Sequence, residues 1–300
     1  MEALMPCYHP INAYKTASGE IVFTEKARYG DTQHIKLPCG QCIGCRLERS
    51  RQWGVRCMHE AQMHKQNSFV TLTYNAENTP QRGNLNHADF QKFMKRLRKH
   101  AKTDIRYYMG GEYGPTTWRP HFHACIFGYD FADKLYFKTG ESGEKIYTSK
   151  TLEKLWPYGF STIGNVTFQS AAYIARYCVQ KVTGQAAEEH YKRVDDQGEY
   201  QLTPEYNRMS LKPAIGKTWL EKYRSDVYNH DHVIINGVKS TPPKYYDKLL
   251  KRWDANRLEE LKEQREANAQ THKEDQTWQR LEAKEQFQHA RIKSLLRNKI

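Results

Sequence analysis

The sequence lacks any run of about eighteen apolar residues, and no charged-then-apolar leader follows Met1. Neither a membrane span nor an export signal is therefore expected. Cysteine is scarce and odd in number, seven in all. Without an export signal, that argues for a reducing cytoplasm and against disulfides. Acid is short as well: 34 Asp and Glu stand against 47 Lys and Arg, a net charge of +13. Leu258, Leu261, Trp278, Leu281, Ile292, Leu295 and Leu296 hold no heptad register, which excludes a long coiled coil.

The basic excess points to a polyanionic partner, nucleic acid first and acidic membrane second. Twenty tyrosines add stacking surface of the kind single-stranded nucleic acid uses. The 300 residues suffice for one large domain or two smaller ones. Composition divides the chain into a Cys-rich segment and helix (1–65), a central block (66–184), a mixed segment (185–250) and a charged helical tail (251–300).

Three cysteines are bunched in Pro38-Cys39-Gly40-Gln41-Cys42-Ile43-Gly44-Cys45-Arg46. A C-x-x-C-x-x-C run with glycines turns sulfurs inward, and a tetrahedral zinc site wants four N or S ligands. Cys7 is the natural fourth, with His9 and His34 as competitors. Reduced free thiols and an iron–sulfur cluster are the other readings, the latter without a fourth cysteine at ferredoxin spacing. From Arg46 the chain reads as a helix carrying Arg49, Arg51 and Arg56, either a grip on phosphates or a solvated face.

The central block alternates legibly. Ser68 to Tyr74 is β-branched and aromatic, a strand. Asn86 caps a helix, with Asp89 in a capping-box variant. That helix has an apolar stripe (Phe90, Phe93, Met94, Leu97, Ala101) and a basic side with Arg96 and Lys99. A strand from Ile105 runs to Glu112, and a turn at Gly114-Pro115 leads to the strand around His121-Phe122-His123. A polar insertion (Lys138 to Lys145), a helix near Leu152 to Leu155, a strand from Phe160 to Phe168 and a helix from Ser170 to about Val182 follow. The order β-α-β-β-α-β predicts an α+β fold of split βαβ, ferredoxin-like type. Its antiparallel sheet carries helices on one face, with the Cys-rich and helical segments as extensions.

Side chains alternate along a strand, so His121 and His123 face one way and Phe122, Ala124 and Ile126 the other. Two imidazoles about 7 Å apart along one face can chelate a divalent metal. An H-x-H pair alone is weak evidence. A hairpin between the two strands would bring Glu112 beside them as a third ligand, a set suited to Mg²⁺ or Mn²⁺ in use and also to Zn²⁺. In the closing helix, Tyr173, Tyr177 and Lys181 recur every four residues and form one ridge. Ala171, Ile174, Cys178 and Val182 form a separate apolar stripe. The ridge is either core packing or a pair of phenol nucleophiles with a cation beside them.

With these motifs the sequence resembles the HUH endonuclease superfamily, and more closely the rolling-circle replication initiators of gokushovirus-type microviruses. The match rests on Phe69-Val-Thr-Leu-Thr-Tyr74, Arg119-Pro-His-Phe-His-Ala-Cys-Ile-Phe-Gly128 and Tyr173-Ile-Ala-Arg-Tyr177-Cys-Val-Gln-Lys181, in that order. Cys7-Tyr-His-Pro10, the Pro38–Arg46 run, Lys212-Pro-Ala-Ile-Gly216 and Pro243-Lys-Tyr-Tyr246 extend it. The resemblance implies that His121, His123 and Glu112 bind Mg²⁺ or Mn²⁺, and that Tyr173 and Tyr177 attack a phosphodiester, with Lys181 assisting. It implies a 5′-phosphotyrosyl link, a free 3′-OH primer, and rejoining by the second tyrosine. Cys7, Cys39, Cys42 and Cys45 are the structural zinc candidates. Arg46, Arg49, Arg96, Lys99 and Arg119 are the candidate contacts to DNA. Implied partners are single-stranded DNA, replicative-form DNA at the origin, and a host helicase and polymerase, in the host bacterial cytoplasm and away from membrane. A relaxase or transposase of the same superfamily, a non-catalytic nucleic-acid-binding protein with a zinc knuckle, and a cysteine-based sensor are the competing readings.

In the mixed segment, Gly184 to Glu205 reads as a loop or short helix, and Asn236-Gly237 as a hairpin turn. After Glu285 only basic charges appear (Arg291, Lys293, Arg297, Lys299), a DNA or partner contact or a solvated tail.

Overall fold

The computed structural model describes residues 7–24, 30–114, 116–140, 143–180, 182 and 186–294, without the side chains of 177–180 and 293–294. Its first elements are β1 (Ile11–Thr16), β2 (Ile21–Val22), β3 (Thr32–Leu37), α1 (Ile43–Gln62), β4 (Asn67–Tyr74), α2 (His87–Ala101), β5 (Arg106–Tyr113) and β6 (Pro120–Phe127). There follow β7 (Leu135–Thr139), β8 (Lys145–Thr148), α3 (Lys150–Leu155), β9 (Gly159–Gly164), α4 (Phe168–Gln180), α5 (Ala186–Tyr191), β10 (Lys192–Asp195), β11 (Gly198–Gln201) and β12 (Tyr206–Met209). Last come α6 (Lys217–Tyr228), β13 (Val233–Ile235), β14 (Val238–Ser240), α7 (Lys244–Trp253), α8 (Ala255–Gln270) and α9 (Trp278–Ser294). Two compact units are present, residues 50–246 and residues 1–49 with 247–297.

The larger unit is built on a seven-stranded sheet of order β12-β5-β6-β4-β9-β8-β7, with every neighbouring pair antiparallel. The split βαβ core is present as read. On one face, Phe90, Phe93, Met94 and Leu97 of α2 and Leu152 and Leu155 of α3 pack on Val70, Leu72, Phe122, Ala124 and Ile126. Asn86 caps α2, its side chain accepting from Ala88 N at 3.1 Å.

The expected helices on one face are α2 and α3; the flanking helices cover part of the other. Cys57 of α1 and Ala171, Ile174 and Ala175 of α4 pack on Phe69, Tyr108, Cys125 and Phe127, and Trp53 stacks on Tyr108 at 4.6 Å. These strands are apolar on both sides, and a sheet apolar on both faces must be covered on both. Two close approaches fix that second layer. Gly54 of α1 lies against Phe168, where an added Cβ would come within 2.8 Å of the ring. Gly110 of β5 lies beneath Ile174, where a Cβ would meet Cγ2 at 3.1 Å.

Other boundaries differ from the sequence reading. The polar insertion is the hairpin β7–β8, which extends the sheet edge. The strand begun at Phe160 ends at Gly164, and Phe168 opens α4 instead. Residues 192–201, read as loop or short helix, form the β10–β11 hairpin after α5. Strand β12 adds to the central sheet beside β5. The Asn236-Gly237 turn is as read: both residues have positive φ, 51° and 77°, as a two-residue type I′ hairpin needs.

In the smaller unit, β2-β1-β3 form an antiparallel sheet that the sequence reading did not anticipate. Leu258, Leu261 and Leu281 of α8 and α9 are buried. Asp247 pairs with Arg265 through two contacts, 2.8 and 3.2 Å. Among the described residues no helix is long and apolar enough to cross a membrane. Arg297, Lys299 and the side chain of Lys293 lie outside the described residues, as does Pro115 of the expected turn.

Candidate functional site

Strand β6 alternates as its sequence requires: Phe122, Ala124 and Ile126 enter the α2-side core, which turns His121 and His123 to the opposite face. Pairing of β5 with β6 sets Glu112 opposite His121 and Gly110 opposite His123. The Glu112 carboxylate is buried, with Oε1 2.6 Å from His121 Nε2 and 2.8 Å from His123 Nε2. The Nδ1 sides are anchored separately. His121 Nδ1–H donates to the Arg119 carbonyl at 3.0 Å, and His123 Nδ1 pairs with Thr71 Oγ1 at 3.0 Å.

That anchoring decides what the centre offers. With Nδ1–H committed to a carbonyl, His121 turns the Nε2 lone pair of its neutral form toward a carboxylate, and only a proton or a cation between them relieves the repulsion. The ionisation of the three groups agrees. Burial would lower His121, but hydrogen bonding and charge from Glu112 raise it above the ordinary histidine value. Burial lowers His123. Burial would raise Glu112, and the two imidazoles hold it below the usual carboxylate range instead. Glu112 Oε2 is buried and, among the described residues, accepts no hydrogen bond. Two imidazole nitrogens and a carboxylate oxygen, all within 4.8 Å of one another, fit a divalent cation that keeps open positions.

Tyr173 reaches this centre. Helix α4 buries Ala171 and Ile174 in the core, as the apolar stripe predicted, and leaves Tyr173 half-buried beside His123, ring centroids 5.2 Å apart. The helix is tied down by Asn207 Nδ2, which donates to the carbonyls of Ile174 and Met109, both at 3.2 Å. Ser50 Oγ also donates to the Ala172 carbonyl at 2.7 Å. Tyr177 stands one turn further along α4; its side chain and all of Lys181 lie outside the described residues. Thr71 and Asn207 were missed by sequence reasoning. Thr71 was within reach of it, because Thr71 and Thr73 alternate onto the histidine face of β4.

The structure does not gather every candidate here. Arg96 and Lys99 ride on α2, across the sheet from the histidines, and Arg96 Nε donates to the Leu155 carbonyl at 2.8 Å. Arg119 has an exposed side chain, and its carbonyl anchors His121. In the smaller unit, Arg46 is half-buried and Arg49 exposed on α1.

A second ligand cluster lies in the smaller unit. The sulfurs of Cys7, Cys39, Cys42 and Cys45 are mutually within 4.8 Å, and Gly40 takes the positive φ, 75°, of the knuckle turn. Backbone N–H groups point at them: Cys39 N to Cys7 Sγ at 3.2 Å, Cys42 N to Cys39 Sγ at 3.3 Å and Tyr8 N to Cys42 Sγ at 3.3 Å. Burial raises the Cys7 and Cys45 thiols. At Cys39 burial is outweighed by those N–H bonds, and its thiol is pulled down to about 7. The Cys7 and Cys42 sulfurs are 4.0 Å apart, near the roughly 3.8 Å edge of a tetrahedron with Zn–S bonds of about 2.3 Å. The competing ligands are engaged elsewhere: His9 pairs with Glu285 at 2.7 Å, and His34 packs on Tyr14. All described cysteines are free of disulfides.

The family model for the ORF2 type of replication-associated protein matches residues 67–182, from β4 to just past α4, and so spans Glu112, His121, His123, Tyr173 and Tyr177. The chain is 35% identical over 257 residues to replication-associated protein VP4 of Bdellovibrio phage phiMH2K, covering 83% of this chain and 78% of that one. It is 34% identical over 287 residues to replication-associated protein ORF2 of Spiroplasma virus 4, covering 87% and 86%. Replication-associated protein ORF4 of Chlamydia phage 1 is 26% identical over 225 residues, 72% of this chain and 54% of its own length. No solved structure gives a significant match. With a third or more of the positions identical across most of two such proteins, the chain belongs to the family of phage replication-associated proteins.

Proposed function

We propose that this protein initiates rolling-circle replication by nicking one DNA strand at the phage origin and later rejoining the unit-length strand. The observation that carries the reading is the position of Tyr173: its ring lies 5.2 Å from that of His123, whose Nε2 shares Glu112 Oε1 with His121. When bound at Glu112, His121 and His123, Mg²⁺ or Mn²⁺ supplies Lewis-acid charge neutralisation at the scissile phosphate. A phenol with a pKa near 10 attacks only once its proton is removed. The tyrosine oxygen then bonds to phosphorus, the P–O3′ bond breaks, and the 3′ oxygen takes up a proton to become the primer hydroxyl. The ester left on the 5′ phosphate keeps the bond energy, so rejoining needs no ATP. Tyr177, one turn along the same helix, is the second nucleophile, and Lys181 adds positive charge beside the pair.

Arg46, Arg49, Arg96, Lys99 and Arg119 are proposed phosphate contacts. The four cysteines hold a structural Zn²⁺. The protein works on single-stranded and replicative-form DNA in the bacterial host's cytoplasm, with a host helicase and polymerase extending the 3′ end. The test is incubation with replicative-form DNA and Mn²⁺. Nicking is expected, with loss in EDTA and in the His121→Ala/His123→Ala variant while DNA binding persists. Cleavage in thoroughly chelated buffer would remove the metal from the account.

A further inference from the structure

Strand register places four residues in one row across the sheet. Glu112 of β5 is opposite His121 of β6, His121 opposite Thr73 of β4, and Thr73 opposite Phe160 of β9. Directly opposed residues share a face, so all four stand on the face that carries the candidate metal ligands. The next row on that face is Gly110, His123, Thr71 and Thr162. Helices cover the row beyond it, where Tyr108, Cys125 and Phe69 are buried. The first two rows remain open on the β4–β9 side: Thr71, Thr73 and Thr162 are half-buried and polar, and Phe160 is 64% exposed.

Phe160 is out of place there by ordinary packing rules. Strand β9 is internal, with β4 on one side and β8 on the other, and its alternate residues Ser161 and Ile163 are buried. An exposed phenyl on an internal strand, flanked by hydroxyls in a strongly basic protein, suits a ligand with both flat apolar faces and a polar backbone. Two strand spacings separate it from His121, roughly 10 Å. At about 3.4 Å per stacked nucleotide, more when extended, that is within about three nucleotides of a phosphate held at the histidines.

We propose that Phe160 is the stacking platform for a base of the single-stranded substrate flanking the scissile phosphate, with the hydroxyls of Thr73 and Thr162 facing the sugar–phosphate chain. This assignment rests on the reading of the histidine face as a DNA-cleaving site. Phe160 binds and positions DNA; it takes no part in bond making. Every base has a π-face, so the platform is tolerant of sequence, and selection of the nick site falls to other contacts.

The test is binding of a fluorescein-labelled oligothymidylate of about twenty nucleotides in EDTA, where cleavage is off, followed by anisotropy across a salt series. Phe160→Ala is expected to bind roughly tenfold more weakly with an unchanged salt slope, because no phosphate contact is lost. Phe160→Trp is expected to restore affinity and to show indole quenching on saturation beyond that of the wild-type protein. Wild-type affinity in Phe160→Ala, or no added quenching in Phe160→Trp, overturns the assignment, and nicking by the wild-type protein in the same preparation shows that the cleavage reading survives it. A wild-type protein that binds and never nicks, with the two variants behaving as expected, sinks the cleavage reading and supports the platform.

Discussion

The ring of Tyr173 stands edge-on to that of His123, with centroids 5.2 Å apart and planes at 85°. This relation depends on how close α4 comes to the sheet. Gly110, the cross-strand partner of His123, leaves room for Ile174; an alanine there would set its Cβ 3.1 Å from Ile174 Cγ2 and 3.0 Å from Asn207 Nδ2. Gly110→Ala is therefore expected to lift α4 by a few tenths of an ångström. Small displacements of a nucleophile cost rate steeply, about a hundredfold for 1 Å. A loss of about tenfold in nicking rate is expected in single-turnover assays, with DNA binding in EDTA unchanged. An unaltered rate would detach the tyrosine from the metal centre.

Thr71 acts on the same centre through His123 Nδ1. Hydrogen bonds behind a metal-bound histidine fix its orientation, and their loss typically weakens metal binding about 10- to 100-fold. Thr71→Val keeps the shape of the half-buried side chain and should weaken Mn²⁺ binding by that factor, read by calorimetry on the DNA-free protein. Equal affinity in variant and wild type would leave Thr71 with a structural role only.

Much of this arrangement was readable in the sequence because strand alternation is unforgiving where one face is core. Phe122, Ala124 and Ile126 had to go inward, and that alone turned His121 and His123 outward together. The cap at Asn86 and the Asn236-Gly237 turn were equally local. Long-range pairing was less accessible. β7 is exposed at every position, so it carries no alternation to mark it as a strand. β12 reaches the sheet almost a hundred residues after β5, its partner. The strand from Phe160 was drawn too long because Phe168 reads as one more aromatic strand residue, yet its ring packs on Gly54. The second helix layer was implicit in Phe69, Cys125 and Phe127, which make β4 and β6 apolar on both faces. Phe160 carried no signal until register placed it beside Thr73.

The cysteine cluster gives an independent expectation. One zinc per chain should be found by elemental analysis, and Cys39→Ser should lose the metal and lower the melting temperature of the protein. In free thiols not organised by metal, Cys39→Ser would leave both readouts unchanged. Because cleavage is assigned to the other unit, wild-type protein stripped of zinc by a chelator and then given Mn²⁺ separates a structural zinc from a catalytic one.

Stability should also bend with pH through His59. Its ring is buried, stacked on Trp219 at 3.4 Å, and its Nδ1 pairs with Tyr246 Oη at 2.8 Å. Burial pushes it from 6.5 down to about 3. Below about pH 6 the unfolded chain binds a proton that the folded one refuses, so stability falls as pH falls, by about 1.4 kcal/mol per pH unit for one proton. Above about pH 7 this contribution is full and flat. Denaturant titrations should show that slope in the wild type and its absence in His59→Gln. Parallel curves for the two proteins between about pH 6 and 5 would assign the acid sensitivity to other groups.

The central claim is that a tyrosine of α4 becomes covalently joined to DNA. Its most direct measurement is mass spectrometry of nuclease-trimmed, protease-digested adducts formed on replicative-form DNA with Mn²⁺. The expected result is a nucleotide mass on the peptide holding Tyr173 and Tyr177, and no adduct from Tyr173→Phe/Tyr177→Phe. A DNA-linked species that persists in that double variant, or a nucleotide mapped to any other residue, would contradict the account.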